Sequence, residues 1–464
     1  MPNIPPADDV AVVVLAAGQG TRFRSDTAKV LHRAAGRSLV RHVLEAVRPL
    51  GPGQVVVVVG HQADAVTEDV QASGLAVTTV VQHDQRGTGH AVQEAMPALA
   101  AGIRRVLVLP GDTPLLTTDV LAGLFTATDA HPAAMLTFEL DDPTGYGRVL
   151  RGQDGGVDRV VEHKDATPEE RAVTEANAGM YLVARDLLGD ALDRLDDDNA
   201  QGELYLTDIV GILRADGRHV APVVAPAEVV AGVNDRAQLA DAAAVLRRRH
   251  LDHLMREVGV TIVDPATTYL DVDVEVARDA VLLPGTVLEA GTRVGERAVV
   301  GPQTHLHACE VGADATVHST RGEDAVVGDG ATVGPFAHLR AGTRLGAGAK
   351  AGAFVETKNA VVGDGSKIPH LSYVGDATVG EGVNIACGVV TVNYDGASKH
   401  HTSIEDGAFV GCDTMLIAPV TIGAGAYTAA GSTITDDVPP GALGIARCRQ
   451  TVKDGWSEAR GPRT

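Results

Sequence analysis

Ala280-Val-Leu282-Leu-Pro-Gly-Thr-Val-Leu288-Glu-Ala-Gly-Thr-Arg-Val294-Gly-Glu-Arg-Ala298-Val-Val300 decides the fold of the second half of this chain, because an aliphatic residue returns at every sixth position. The series Val276, Leu282, Leu288, Val294, Val300 and Leu306 resumes at Val327, Val333, Leu339 and Leu345, and again at Ile404, Val410, Leu416 and Ile422. A small residue commonly follows the aliphatic by four, as Ala298 follows Val294, Ala337 follows Val333 and Ala426 follows Ile422. A hexapeptide period this long specifies a parallel β-helix. Each short strand forms one side of a triangular coil, the aliphatic points inward and the small residue lets the corner turn. The phase breaks at His318–Asp324 and Asn393–Thr402, and both stretches are expected to leave the solenoid as loops, where solenoids usually carry chemistry.

Upstream, Leu239, Ala243, Leu246, His250 and Leu254 stand at three- and four-residue spacings, which predicts one connecting helix. Before it, strand-like runs at Val10–Ala16, Val55–Val59, Val77–Val81 and Val106–Leu109 alternate with helical stretches at Leu39–Val47 and His90–Ala95. That alternation predicts an α/β domain with a mostly parallel sheet, whose ligands gather at the carboxyl ends of the strands. The expected boundaries are 1–234 for this Rossmann-like domain, 235–258 for the helix, 259–450 for a left-handed parallel β-helix and 451–464 for a C-terminal tail.

The 464 residues carry 39 basic and 60 acidic side chains, a net charge of -21, which argues against a nucleic-acid or anionic-membrane binder. With only 3% aromatic residues against 45% hydrophobic ones, the cores must be filled by Val, Ala, Leu and Ile. Cys309, Cys387, Cys412 and Cys448 show no paired spacing and are expected as free thiols of a cytoplasmic protein. The acidic start, with Asp8 and Asp9, is the wrong charge for a signal peptide, and no apolar run is long enough to span a membrane.

The first strand runs into Leu15-Ala16-Ala-Gly18-Gln-Gly20-Thr21-Arg22-Phe23, with Lys29 beyond. Glycines bring backbone N–H groups to phosphate oxygens, and Arg22 and Lys29 can neutralise a triphosphate. The string lacks the third glycine of a dinucleotide fingerprint and the Gly-Lys-Ser/Thr of a P-loop, so hydride chemistry and ordinary ATP hydrolysis are poorly supported. It resembles the sugar-nucleotidyltransferase signature. That resemblance implies that Leu15, Ala16, Gly18, Lys29, Gln82, Gly87 and Thr88 bind UTP, with Gln82 and the Gly87-Thr88 segment at the uracil. It implies Mg²⁺ held by Asp112 and Asn234, and sugar contacts from Tyr146-Gly147-Arg148, the Glu162–Asp165 stretch and Asn177. The reaction implied is in-line attack of a sugar-1-phosphate oxygen on the α-phosphate of UTP, releasing pyrophosphate, with Arg22 and Lys29 as the charge-neutralising side chains.

Across nearly the whole chain, the order of the two halves resembles the bifunctional N-acetylglucosamine-1-phosphate uridyltransferase/glucosamine-1-phosphate acetyltransferase family. The densest matches are Phe354–Lys358, Pro369–Asp376, Val383–Ile385 and Val392–Gly396 with Lys399. Acetyl transfer to an amino sugar needs a proton acceptor matched to neutral pH, and His370 is the candidate base. By resemblance, Arg340 and Lys358 grip the phosphate of glucosamine-1-phosphate, and Tyr373 and Asn384 its hydroxyls. Cys387, Asn393, Tyr394, Lys399, Cys412, Ala430 and Arg447 are the implied acetyl-CoA residues, and a homotrimer is the implied assembly. Two positions depart from the family pattern: Cys412 stands where Ser is frequent, and Pro369 where Gly is common.

Two rival readings remain open at this level. In one, the β-helix is only an oligomerisation scaffold for a single-activity nucleotidyltransferase, a reading that the constellation of His370, Tyr373 and Asn384 with Asn393 and Tyr394 disfavours. In the other, it is a metal hydratase with zinc at His305, His307 or His338, for which no third partner is evident in the sequence.

Overall fold

The computed structural model describes residues 7–460, and the predicted tail is described as far as Arg460. The chain divides into two compact units, residues 1–246 and 247–464, with the helix Arg236–His253 running through the division. A π-helical turn, Leu254–Val258, ends that helix at Gly259.

The first unit is built on a nine-stranded sheet of the described residues. Val10–Ala16 is its central strand because VAVVVLA can be buried on both faces, and six of its seven residues are. It pairs in parallel with Gln54–Val59 on one side and Arg105–Pro110 on the other. The sheet continues outward to Val77–Val81 on one flank, and through antiparallel Glu175–Ala184 to Ala133–Glu139 and Val220–Val224 on the other. The chain therefore reverses its direction of sheet growth between Val10–Ala16 and Arg105–Pro110. The crevice beyond such a switch point is where open α/β sheets bind ligands. Helices cover both faces, and the two aliphatic layers are separate clusters on either side of the sheet.

In the second unit short strands, most of two or three residues, pair in parallel with the strand one coil further on, as Val281 pairs with Val299, Thr316 with Thr332 and Lys350 with Lys367. Leu282, Val300, Val317, Val333, Ala351, Ile368, Ile385 and Val410 form one inward column, none more than 1% exposed. Burying one Val, Leu or Ile side chain stabilises by about 1.5–3 kcal/mol, so the column rather than strand length holds the coils together. Buried threonines share the interior: Thr286 and Thr292 donate from Oγ1 to the carbonyls of Leu283 and Glu289 at 2.7 Å. A polar group can be buried there because the corner carbonyl accepts its proton.

One predicted excursion is absent. His318–Asp324 stays in the wall of the solenoid, with Arg321–Glu323 paired to His305–His307 on one side and to His338–Leu339 on the other. The six-residue phase fails because the side is one residue shorter, with Gly322 in the inward slot between Val317 and Val327. A Cβ on Gly322 would lie 2.8 Å from Leu306 Cδ2 and 3.1 Å from Cys309 Sγ, so those two side chains fill the place of the missing aliphatic. Between Asn393 and Thr402 the chain does leave the coil, and the isolated bridge between Tyr394 and Lys399 closes that excursion.

Candidate active sites

At the carboxyl ends of the central strands lie two cavities of about 330 and 320 Å³ with a shared wall at Pro110 and Asp112. The larger is lined by Leu15, Gly18, Lys29, Gln82, Gly87 and Thr88, which gathers most of the residues expected at the nucleotide. Ala16 is not among them: strand alternation turns its side chain into the core at 1% exposure, and Ala17 and Gln85 line the cavity instead. Gln82 is buried and donates through Nε2 to the Gly87 carbonyl at 3.1 Å, fixing the edge of the pocket. Gln85 donates to the Ala17 carbonyl at 2.8 Å and ties the glycine-rich loop to the same edge.

The second cavity collects Arg22, Gly147, Glu162, Asn177 and Asn234 with Asp112. Glu162 accepts from Thr207 Oγ1 at 3.2 Å, and burial raises its carboxyl above the usual range, opposed by that hydrogen bond. Asn177 accepts from the Gly179 amide at 2.8 Å. Arg148, expected beside the sugar, is not in this wall. It is 2% exposed and turned inward, donating to the carbonyls of Tyr146 and Arg171, so it braces the strip from behind. Lys164 and Asp165 likewise face the 199–205 loop, Lys164 donating to Gln201 at 2.7 Å and Asp165 accepting from the Ala200 amide at 2.8 Å.

Asp112 and Asn234 converge. Lys29 Nζ forms an ion pair with Asp112 Oδ2 and donates to Asn234 Oδ1 at 3.4 Å, while Arg22 donates to the same amide oxygen at 2.9 Å. One carboxylate and one amide oxygen around a single positive centre form a donor set that suits a hard divalent cation with phosphate oxygens completing the shell.

On the β-helix, Arg340, Lys358 and Tyr373 project from one sheet in adjacent coils. Arg340 pairs with Glu356 at 2.9 Å, and Glu356 is the register partner of Tyr373. Gly375, opposite Lys358, leaves the room that the Tyr373 ring occupies. His370 is at the corner that precedes Tyr373, and its exposed imidazole has no hydrogen-bond partner among the described residues. Beneath it the buried Ser372 donates to the His370 carbonyl at 2.8 Å and accepts from the Val389 amide at 3.3 Å, fixing the corner. Asn384 is on the neighbouring sheet, beside Lys367. Cys387, Cys412 and Ala430 stack in successive coils at one corner, the Cys387 carbonyl accepting from Asp413 N and the Cys412 carbonyl from Gly431 N, each at 2.8 Å. Sequence spacings of 25 and 18 residues hide this alignment, because the 393–401 excursion falls inside the first. Arg447 is exposed near the end of the coils.

The family model for a MobA-like NTP transferase domain matches residues 12–256, and the bacterial transferase hexapeptide model matches 401–436. The chain is 52% identical to the bifunctional protein GlmU of Corynebacterium efficiens, covering 98% of this chain and 95% of that one. It is 53% identical to the GlmU of Mycolicibacterium vanbaalenii, over 98% and 94%, and 50% identical to that of Mycobacterium bovis, over 98% and 93%. This chain belongs to the GlmU family.

Membership of the GlmU family makes the chain a transferase with both a nucleotidyl- and an acyl-transfer centre, and the scaffold-only reading falls away. The zinc reading finds no support, since His305 is engaged by Glu289 at 2.8 Å and no group of three metal-binding side chains forms among the described residues. Sequence reading missed Thr207 behind Glu162 and Asp376 behind Asn393. The first contact joins segments 45 residues apart. The second joins residues 17 apart, one coil length, and that spacing was available as a signal.

Proposed function

We propose that this chain makes UDP-N-acetylglucosamine, acetylating glucosamine-1-phosphate with acetyl-CoA on the β-helix and transferring uridylyl from UTP to N-acetylglucosamine-1-phosphate in the first unit. The observation that carries the second reaction is the shared wall at Asp112, which separates a nucleotide-sized cavity from one lined by Glu162 and Asn177. UTP in the first and the sugar phosphate in the second bring the attacking oxygen and the α-phosphate together at that wall. Positioning then supplies most of the rate, and Arg22 and Lys29 stabilise the charge that develops on the phosphates. Mg²⁺ held by Asp112 and Asn234 would supply further neutralisation of the triphosphate.

In acetyl transfer, His370 accepts the proton of the sugar ammonium so that the amine can attack the thioester carbonyl; the C–S bond then breaks, and CoA leaves as the thiol with the proton lost from the acylated nitrogen. Arg340 and Lys358 hold the phosphate, Tyr373 and Asn384 the hydroxyls, and Asn393 and Tyr394 the thioester. Cys387, Cys412 and Ala430 would follow acetyl-CoA along the corner, with Lys399 and Arg447 at its charged groups. We assign uridylyl transfer to residues 1–234, the connecting helix to 235–258, acetyl transfer to 259–450 and the tail to 451–464.

We further propose a cytoplasmic homotrimer. Four free cysteines support a reducing compartment, and no described helix is long and apolar enough to cross a membrane. Phe336 and Phe354 stack at 5.2 Å and Leu371 follows His370, all three more than half exposed, an apolar edge that a neighbouring subunit would cover. Light scattering giving a monomer mass would refute that assembly.

A coupled assay starting from glucosamine-1-phosphate tests the two centres. Asp112→Ala should abolish sugar-nucleotide formation and leave CoA release intact. His370→Ala should lower CoA release by about 10²–10⁴-fold and spare uridylyl transfer. Loss of both activities in either folded variant would sink the assignment.

A further inference from the structure

Gln82 follows the strand Val77–Val81 and is held there by its backbone amide, which donates to the Val59 carbonyl at 2.8 Å. The chain then turns into the helix Thr88–Ala95, whose Gly89, Ala91, Val92 and Ala95 are buried. His90 and Glu94, four residues apart, share another face of that helix, with side chains 13% and 41% exposed. The turn brings His90 back against Gln82, which is only 4% exposed and lines the nucleotide cavity.

Gln82 Nε2 lies 3.1 Å from the Gly87 carbonyl oxygen and 3.1 Å from His90 Nδ1. A carbonyl only accepts, so the Gly87 contact fixes which end of the Gln82 amide is nitrogen. Both Nε2 hydrogens are then engaged, one on Gly87 and one on His90, and Nδ1 must be the unprotonated nitrogen of the neutral imidazole. The ring proton belongs to Nε2, which lies 3.2 Å from Glu94 Oε1 and donates to it. Donation therefore runs in one direction, from Gln82 to His90 and from His90 to Glu94. What Gln82 has left for the cavity is Oε1, which has no partner among the described residues.

We propose that His90, oriented by Glu94, is a positioning residue for base selection, locking the Gln82 amide with Oε1 towards the nucleotide so that the cavity takes uracil and refuses cytosine. This rests on the uridylyl-transfer assignment above. Oε1 only accepts, and uracil offers it the N3–H. Cytosine carries a lone pair at N3, and its 4-amino donor stands where uracil has a carbonyl, so cytosine in the same place sets acceptor against acceptor. A site that leaves a buried polar group unpaired rejects the wrong ligand more strongly than a difference in shape does. Turning the Gln82 amide over would reverse the choice by offering Nε2 to the base. It would also set Oε1 against the Gly87 carbonyl and leave His90 Nδ1 without a donor. Gly87 alone opposes that turn with one hydrogen bond, and His90 adds the second.

The measurement is kcat/KM of pyrophosphate release with N-acetylglucosamine-1-phosphate, for UTP and for CTP. A residue that only stabilises the fold lowers both and leaves their ratio alone. Wild type should favour UTP by about 10²-fold or more. His90→Phe keeps a ring and removes the acceptor, and should lower the ratio by about tenfold, the worth of one buried hydrogen bond. His90→Asn can place its amide oxygen where Nδ1 was, and should keep most of the ratio. Glu94→Leu, at a more exposed position, frees the tautomer and should lower the ratio by less; it decides the matter if His90→Phe does not melt cooperatively. A folded His90→Phe with the wild-type ratio overturns the proposal, as does an equal loss in His90→Asn or a wild type that uses both nucleotides equally. So does an unchanged Glu94→Leu ratio where His90→Phe does not fold. Wild type that releases no pyrophosphate from either nucleotide refutes the underlying assignment instead.

Discussion

Gly87→Ala should damage uridylyl transfer without touching acetylation, and the geometry sets the size of the effect. Gly87 has φ 110° and ψ 175°, a conformation that residues with a Cβ rarely adopt, which costs about 1–3 kcal/mol for alanine. The new Cβ would also lie 2.6 Å from the Leu204 carbonyl oxygen and 2.9 Å from the Leu204 amide nitrogen. Backbone atoms cannot rotate away as a side-chain tip can, so the two segments must separate. They are tied together on both sides of the contact: Leu204 N donates to the Arg86 carbonyl at 2.7 Å and Gly89 N to the Leu204 carbonyl at 2.8 Å. Gly87 also carries the carbonyl that orients Gln82, so the shift is transmitted to the nucleotide cavity. A displacement of about 1 Å at a positioning surface lowers rates by about 10²-fold. Steady-state pyrophosphate release should therefore show kcat/KM for UTP reduced by about 100-fold, while CoA release from the same preparation is unchanged. A folded variant whose kcat/KM for UTP stays near the wild-type value would refute the view that this backbone contact shapes the pocket.

Asp208, held up to about 6 by burial and then by the charges of Asp196 and Asp165, should cost stability as pH rises. A raised carboxyl pKa gives the folded state more bound protons than the unfolded chain between the two pKa values, so stability is lost from about pH 4 to 6. Asp208→Asn should accordingly melt higher than wild type above pH 6, with the advantage fading towards pH 4, and a pH-independent difference would count against it. Glu162→Gln should raise KM for N-acetylglucosamine-1-phosphate by about 10-fold or more through loss of a charged acceptor, and unchanged sugar kinetics would remove Glu162 from the site. Gly322→Ala should destabilise the β-helix by about 1–3 kcal/mol through overpacking against Leu306 and Cys309. Cys309→Ala should recover part of that loss in a double-mutant cycle, and strict additivity would show that the two do not share the space.

A six-residue period is local information, repeated enough times to specify a coil whatever the loops do, and for that reason the β-helix was legible in the sequence. The glycine-rich string after a buried strand was legible on similar grounds, since turn, phosphate cradle and cations all lie within fifteen residues. Reading the His318–Asp324 phase break as a loop failed, because a short side and an excursion look alike until the interior volume is known. Gly322 stays in the wall only because Leu306, its partner on the same side one coil back, and Cys309, at the corner after it, fill the place of its missing side chain. Arg148 was misread for a related reason: its position beside Gly147 is a sequence fact, but whether its guanidinium faces solvent or the core depends on strand pleat and on the carbonyls behind it.

The sequence by itself determined the two architectures, their order and the chemical types available at each centre, because periodicity and motif spacing are properties of adjacent residues. Tertiary structure alone decided that Asp112 is common to two cavities, that Thr207 backs Glu162 and that Asp376 lies between Asn359 and Asn393. These meetings depend on how strand ends converge and on whether a coil closes in 17 or 18 residues, which is set by packing across the core rather than by any neighbour in the chain.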